Sequence, residues 1–353
     1  MPCYHPLWGY PYPPNHPKFG QYKIVPVTRQ NYDLKVDDDK VWTFDHATGE
    51  VMDLIRIPCG KCVGCRLDYS REWCGRIVME SFDYPDNSLF VTLTYDDDHI
   101  PCMLSDGSGK IVRGAESGNK FGMIGGTLQK KDIQDWLKRL RRTVDYNYDH
   151  PDPIRYYLAG EYGSNTHRPH YHVCLFGLPD DLAPIGVNKL GNPLYQSELI
   201  NETWANGHTV VGKLNASTAA YTARYTLKKA QGQDHIFNDS LGINREFNTM
   251  SRKPGIGVNY FNAHADEIYE HDEIILPAVS KDKPHVVKPP RYFDILYEAQ
   301  NPKKMAEVKR QRQDNAELSH EALLSSIELD ELSYLSIKEG AHKERLKKLI
   351  RDL

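Results

Sequence analysis

The segment Pro169-His170-Tyr171-His172-Val173-Cys174-Leu175-Phe176 constrains the fold of this chain more than any other stretch. An alternating start runs into consecutive apolar residues, the mark of a strand entering a buried sheet. Side chains alternate along a strand, so His170 and His172 share a face while Tyr171 points away. Two imidazoles side by side on a rigid strand can supply two ligands of one divalent metal ion. Glu161 ends the preceding strand, and a tight connection returns the chain beside it. Its carboxylate would complete a His-His-Glu set with positions open for water or a phosphate oxygen. His-x-His also arises on an ordinary solvated face; the apolar run and the carboxylate from the neighbouring strand tip the reading toward a metal. His167 lies in the connecting loop and reads as a surface or substrate-facing residue.

Around this strand a regular order emerges. Phe90-Val91-Thr92-Leu93-Thr94-Tyr95 alternates as a strand and ends in the acidic turn Asp96-Asp97-Asp98. A Gly-rich loop covers roughly 105–126. A helix then opens at Thr127 and runs to about Val144, with Ile133, Trp136, Leu137, Leu140 and Val144 at three- and four-residue steps. Strands follow at 154–159 and 171–176, a short helix at 197–204, a strand at 208–213 and a helix at 218–229. The order β-α-β-β-α-β-α predicts an α+β architecture, an antiparallel sheet with helices on one face. The predicted organisation has four regions: an irregular, Cys-rich module packed on the core (1–85), the sheet domain (86–235), an irregular extension (236–302) and a charged helical tail (303–353). The tail has no proline after Pro302 and is dominated by Leu, Ile, Lys and Glu.

The last helix of the sheet domain carries Ala219-Ala220-Tyr221-Thr222-Ala223-Arg224-Tyr225-Thr226-Leu227-Lys228-Lys229. Tyr221 and Tyr225 are four apart and therefore neighbours, with Arg224 and Lys228 as an adjoining basic row. A phenol of pKa about 10 is a poor nucleophile. A metal that polarises a phosphate and a cation beside the phenolate both lower the barrier. Two phenols on one face suit two consecutive transesterifications. Alone, the helix reads as one packing two tyrosines on the core; beside the metal strand, it reads as chemistry.

Cys59-Gly60-Lys61-Cys62-Val63-Gly64-Cys65-Arg66 places three thiols at CxxCxxC spacing. A tetrahedral zinc site needs four ligands, and Cys3 is the natural fourth, with Cys74 or His5 as alternatives. Iron–sulfur ligation is the less suited option. The zinc would be structural, stabilising a module poor in apolar residues. Net charge is −4, so any phosphate-binding surface must be local. Candidates for such contact are Arg66, Arg71 and Arg76 with Lys61, and the helical run Lys138, Arg139, Arg141 and Arg142; a solvated helix face explains that run equally. No stretch approaches about eighteen consecutive apolar residues, so no membrane span is expected. The N-terminus, MPCYHPLWGYPYPPNHPKFG, has no apolar core of a signal peptide, so the chain is expected in the cytoplasm with its thiols reduced or metal-bound.

FVTLTYDDDHIP, HRPHYHVCLFG and YTARYTLKK, in that order, resemble the three motifs of the HUH-type (His-hydrophobic-His) rolling-circle replication initiators. The paired tyrosines resemble the two-tyrosine branch of small single-stranded DNA phages, and with PCGKCVGCR the chain looks like the initiators of gokushovirus-type microviruses. The resemblance covers roughly 55–230, with a weaker echo at Lys288-Pro289-Pro290-Arg291-Tyr292-Phe293. It implies a ferredoxin- or RRM-like sheet, Mg²⁺ or Mn²⁺, and an endonuclease that nicks single-stranded origin DNA. A 5′-phosphotyrosine and a free 3′-OH for host polymerase would result, with later rejoining of the displaced strand. Carried over, His170 and His172 are metal ligands, Glu161 the third, Tyr221 and Tyr225 the nucleophiles and Lys228 the phenolate partner. Arg224 stands where members often have Lys, and with Arg168 is assigned to DNA contact. Gly107-Ser108-Gly109-Lys110 is only half a phosphate-binding loop, with Ile111 in place of Ser/Thr, so strand separation is left to a host helicase. A non-enzymatic, zinc-containing DNA-binding protein is the competing class, and a transposon or plasmid relative the competing enzyme.

Overall fold

A strand such as Val173-Cys174-Leu175-Phe176, apolar at consecutive positions, is stable only where both of its faces are covered. In the computed structural model these four residues are fully buried, on an interior strand of a seven-stranded sheet. The structure describes residues 3–12, 17–18, 21–27, 42–44, 51–53, 55–104, 110–114, 123–149, 153–163, 166–179, 181–228, 243–276 and 284–347. The sheet strands are β1 (Ser88–Tyr95), β2 (Arg155–Tyr162), β3 (Pro169–Phe176), β4 (Ala183–Val187), β5 (Pro193–Gln196), β6 (Gly207–Lys213) and β7 (Phe247–Met250). The helices are α1 (Val63–Ser81), α2 (Lys130–Asn147), α3 (Glu198–Trp204), α4 (Ala216–Lys228), α5 (Val258–His271), α6 (Arg291–Gln300), α7 (Pro302–Ser326) and α8 (Glu331–Lys347). Strand order is β4-β5-β6-β1-β3-β2-β7, with antiparallel neighbours throughout.

The predicted α+β sheet is present. The crossovers β1-α2-β2 and β3-α3-β6 put α2 and α3 on one face, over Leu89, Val91, Leu93 and Tyr95 of β1 and Tyr171, Val173 and Leu175 of β3. The Ser197 hydroxyl caps α3 by accepting from the Ile200 amide at 2.9 Å. The placement of helices on one face only is corrected. A second core joins Tyr157, Cys174 and Phe176 on the other face to side chains of α1, α4, α5 and α6, among them Ile77, Ala219, Phe261 and Phe293. The uninterrupted apolar run of β3 demanded this second layer.

Two regions read as irregular also differ. Residues 1–85 contain the 19-residue helix α1, and 236–302 contain α5 and α6. A buried ion pair locks α1 into place: Glu80 takes Arg155 and accepts from the Gly257 amide at 2.6 Å, while Arg155 donates to the Pro254 and Gly255 carbonyls. The glycines of the 107–109 loop lie outside the described residues.

The chain divides into two compact units, Met1–Tyr69 with Gln311–Arg351 and Ser70–Arg310 with Asp352–Leu353. In the first, strands Leu7–Pro11, Tyr22–Pro26 and Ile55–Ile57 form a small antiparallel sheet. From Gln311 on, the helical tail belongs to this unit: Tyr4 Oη lies 2.8 Å from His342 Nδ1, and Arg56 Nη1 lies 2.9 Å from Glu331 Oε1. Among the described residues no helix is long and apolar enough to cross a membrane.

Candidate active site

The antiparallel register writes the site across the sheet. Glu161 pairs with His170, His170 with Thr94, and Thr94 with His208. The next row runs Ala159, His172, Thr92, Val210. Paired residues share a face, so Glu161, His170 and His172 converge, and their ligand atoms all lie within 4.8 Å of one another. Glu161 Oε1 is 2.8 Å from His170 Nε2 and 3.1 Å from His172 Nε2. His170 Nδ1 lies 3.0 Å from the Arg168 carbonyl, which can only accept, so we assign the proton to that nitrogen. Its Nε2 lone pair then faces a carboxylate oxygen, an arrangement that needs a proton or a cation between the two. His172 is held through its Nδ1, 3.1 Å from Thr92 Oγ1, a hydroxyl able to donate or to accept. Burial pushes the Glu161 carboxyl upward, but His170 and His172, whenever they carry a proton and positive charge toward it, outweigh burial and hold the group well below the usual carboxylate range. One carboxylate and two oriented imidazoles fit a divalent ion.

Helix α4 brings the phenol. Asn215 caps it, its Oδ1 accepting from the Ser217 and Thr218 amides at 2.9 and 3.0 Å. Ala219 and Ala223, both fully buried, let the helix lie close against the sheet. Tyr221 is thereby turned to the triad, its ring centroid 5.1 Å from that of His172. Phe90 stacks on His172 at 5.5 Å and meets Tyr221 edge-on at 6.0 Å. The side chains of Tyr225 and Lys228 lie outside the described residues; their backbone belongs to α4.

The family model for replication-associated protein ORF2/G2P matches residues 88–230, from the first residue of β1 to just past α4. The replication-associated protein ORF2 of Spiroplasma virus 4 is 35% identical over 240 residues, 67% of this chain and 66% of that protein. The replication-associated protein VP4 of Bdellovibrio phage phiMH2K is 32% identical over 271 residues, 74% of this chain and 75% of that protein. The chain belongs to this family of phage replication-associated proteins. ORF4 of Chlamydia phage 1, another replication-associated protein, is 28% identical over 225 residues, 62% of this chain and 49% of that protein. No solved structure matches this replication-associated protein.

Within this family member the structure brings some sequence candidates together and leaves others apart. Arg168 leads into β3, donating to the Tyr95 carbonyl at 3.0 Å and to Asp97 at 2.7 Å. Arg224 turns back on its own helix, to the Ala220 carbonyl at 3.3 Å. Lys138, Arg139, Arg141 and Arg142 sit on α2, across the sheet from the triad. Two of them hold the fold: Arg139 donates to the Thr203 carbonyl at 2.8 Å and Arg141 to the Ile154 carbonyl at 2.9 Å. Arg76 is corrected from a phosphate contact to a core residue. It is buried between Trp73 and Tyr292, at 4.2 and 4.4 Å from their rings, and donates to the Ile256 carbonyl. Arg66 and Arg71 lie on α1, the latter exposed. Sequence reading missed Phe90 and Thr92; their alternation with Val91 and Leu93 puts them on the histidine face once β1 is paired with β3.

In the first unit, the sulfurs of Cys3, Cys59, Cys62 and Cys65 lie within 4.8 Å of one another, all as free thiols. Backbone amides aim at them: Cys59 N at Cys3 Sγ (3.2 Å), Cys62 N at Cys59 Sγ (3.3 Å) and Tyr4 N at Cys62 Sγ (3.3 Å). Gly60 makes the turn possible with φ of +70°, a left-handed conformation that costs other residues strain. Cys3 is the fourth member; His5 pairs with Glu339, and Cys74 belongs to the other unit, against the Ala216 carbonyl. Burial raises Cys3 to about 11, whereas for Cys62 it is outweighed by amide donors from Cys65 and Tyr4, which bring that thiol to about 7. Four sulfurs this close ionise together only around a cation, and the donor set fits a tetrahedral, thiophilic metal.

Proposed function

We propose that this chain initiates rolling-circle replication by nicking single-stranded origin DNA with a tyrosine and remaining covalently attached to the cut 5′ end. The observation that carries the reading is the meeting of Glu161, His170 and His172 with Tyr221, whose ring stands 5.1 Å from that of His172. The replication-associated relatives support DNA as the substrate. The order β6-β1-β3-β2, with both crossover helices on one face, supports a ferredoxin- or RRM-like core.

Glu161, His170 and His172 would hold Mg²⁺ or Mn²⁺, whose role when bound is to withdraw charge from the scissile phosphate. The Tyr221 oxygen attacks phosphorus and the P–O3′ bond breaks, leaving a 5′-phosphotyrosine and a 3′-OH. The phenolic proton is lost and the departing 3′ oxygen gains one, so the exchange of one phosphodiester for another balances. Lys228 is the proposed phenolate partner, and Tyr225 the second nucleophile for rejoining the displaced strand. Arg66, Arg71, Arg168 and Arg224 are proposed DNA contacts. The 3′-OH would serve a host polymerase, with a host helicase opening the duplex, in the bacterial cytoplasm. The four cysteines are proposed to hold structural zinc.

Incubating the protein with a labelled single-stranded origin oligonucleotide and Mn²⁺ should give a denaturant-resistant adduct. Tyr221→Phe combined with Tyr225→Phe should abolish it while leaving binding; an unchanged adduct yield would rule out tyrosine chemistry.

A further inference from the structure

The triad face of the sheet continues into a cleft of about 320 Å³, which His172 and Tyr221 also line. By register, Phe90, Val210 and Gly212 form its floor. The β4–β5 hairpin supplies the outer wall through Leu194 and Asn192. Gly212 is the informative residue. A glycine inside a strand weakens it, and often marks a place where a ligand approaches closely. Here the backbone is ordinary strand, and a Cβ at Gly212 would meet nothing nearer than Phe90, at 3.9 Å. Neither a turn nor a clashing neighbour asks for the missing side chain; a Cβ there would only touch Phe90 at ordinary contact distance, beside the cleft that Gly212 lines.

The opening has the chemistry of one flat, polar-edged ring. Phe90, Val210 and Leu194 offer apolar surface, and the exposed Asn192 brings a polar amide to the rim. Its volume is at the small end of ligand sites, about 300–1,000 Å³, suited to a single base with its sugar and not to duplex. We infer that this cleft seats the base of the nucleotide adjoining the phosphate presented to the triad, a proposal that rests on the nicking reading above. Asn192 offers both a donor and an acceptor, so the rim can meet the polar edge of a base of either kind.

The test uses the full chain with leucine and valine methyls labelled for NMR, titrated with single-stranded oligonucleotides about a dozen residues long. Ring currents of a seated base should move the methyl resonances of Leu194 and Val210. Gly212→Leu, which fills the opening, should erase those shifts and weaken strand binding roughly tenfold or more, the effect of losing one stacked base, with Mn²⁺ affinity unchanged. Methyls that stay unmoved as strand is added, or full affinity in Gly212→Leu, would overturn the inference. The oligonucleotides carry the origin sequence, and adducts are scored in parallel samples given Mn²⁺. Shifted methyls without an adduct refute nicking and leave the base seat standing; an adduct with unmoved methyls refutes the seat alone.

Discussion

His172 is gripped from three directions: the Phe90 ring stacks on it, the Tyr221 ring stands nearly perpendicular to it, and Thr92 Oγ1 lies 3.1 Å from its Nδ1. Partners of that last kind fix the tautomer and ring orientation of a metal-binding histidine, and losing one typically costs about 10–100-fold in metal affinity or activity. Thr92→Val keeps the shape and removes the hydroxyl, so Mn²⁺ affinity measured by calorimetry should fall by that order; an unchanged affinity would mean that the hydroxyl does not orient the ring. Glu72, on α1, tests a different balance. Burial raises its pKa, with Arg76 and Arg291 pulling the other way. A folded-state pKa above the unfolded one gives stability that is present below the ordinary carboxylate range and lost as pH climbs through the raised value. Glu72→Gln, neutral at every pH, should therefore raise the melting temperature at pH 7 and leave it unchanged near pH 3.

Helix α2 separates basic sequence from basic function. Arg139 satisfies carbonyls at the end of α3, to Thr203 and Trp204, and its loss leaves acceptors unpaired. Arg139→Ala should cost about 1–3 kcal/mol of stability in denaturant unfolding. It should leave the salt dependence of single-strand binding as it was, whereas a true phosphate contact would lower that slope by roughly 0.7. The same contrast explains what the sequence disclosed. β3 and α4 were legible because their periodicities, two and four, coincide with chemically distinctive residues: His170 and His172, Tyr221 and Tyr225. α1 was hidden because it begins inside the cysteine cluster and its inner face mixes Ser70, Trp73 and Arg76 with aliphatics, which breaks the apolar period. Phe90 and Thr92 join the site only through register with β3, and Gly212 through register with β1, information that no local pattern holds.

At the scale of the molecule, the first unit is built from the two ends of the chain and holds little apolar material. Among its described residues the buried large apolar side chains are Tyr4, Trp8, Cys62, Val63, Leu67 and Leu335. A core that small does not offset the entropy of ordering the chain unless something staples it. The four sulfurs sit where a staple acts: Cys3 brings the N-terminus to the 59–65 turn, and Tyr4, whose amide points at Cys62 Sγ, places its hydroxyl 2.8 Å from His342 Nδ1 on α8. Metal binding at such a site is folding free energy, because the unfolded chain has no site to offer. Removing the ion with a zinc chelator, or replacing Cys62 by Ser, should therefore strip hydrogen-exchange protection from Tyr22–Pro26 and Glu331–Lys347 together. β1 and β3, in the unit with its own large core, should keep theirs. Equal loss in β1 and β3 would show that the two units unfold as one, and no loss in either would show that the cysteines hold nothing structural.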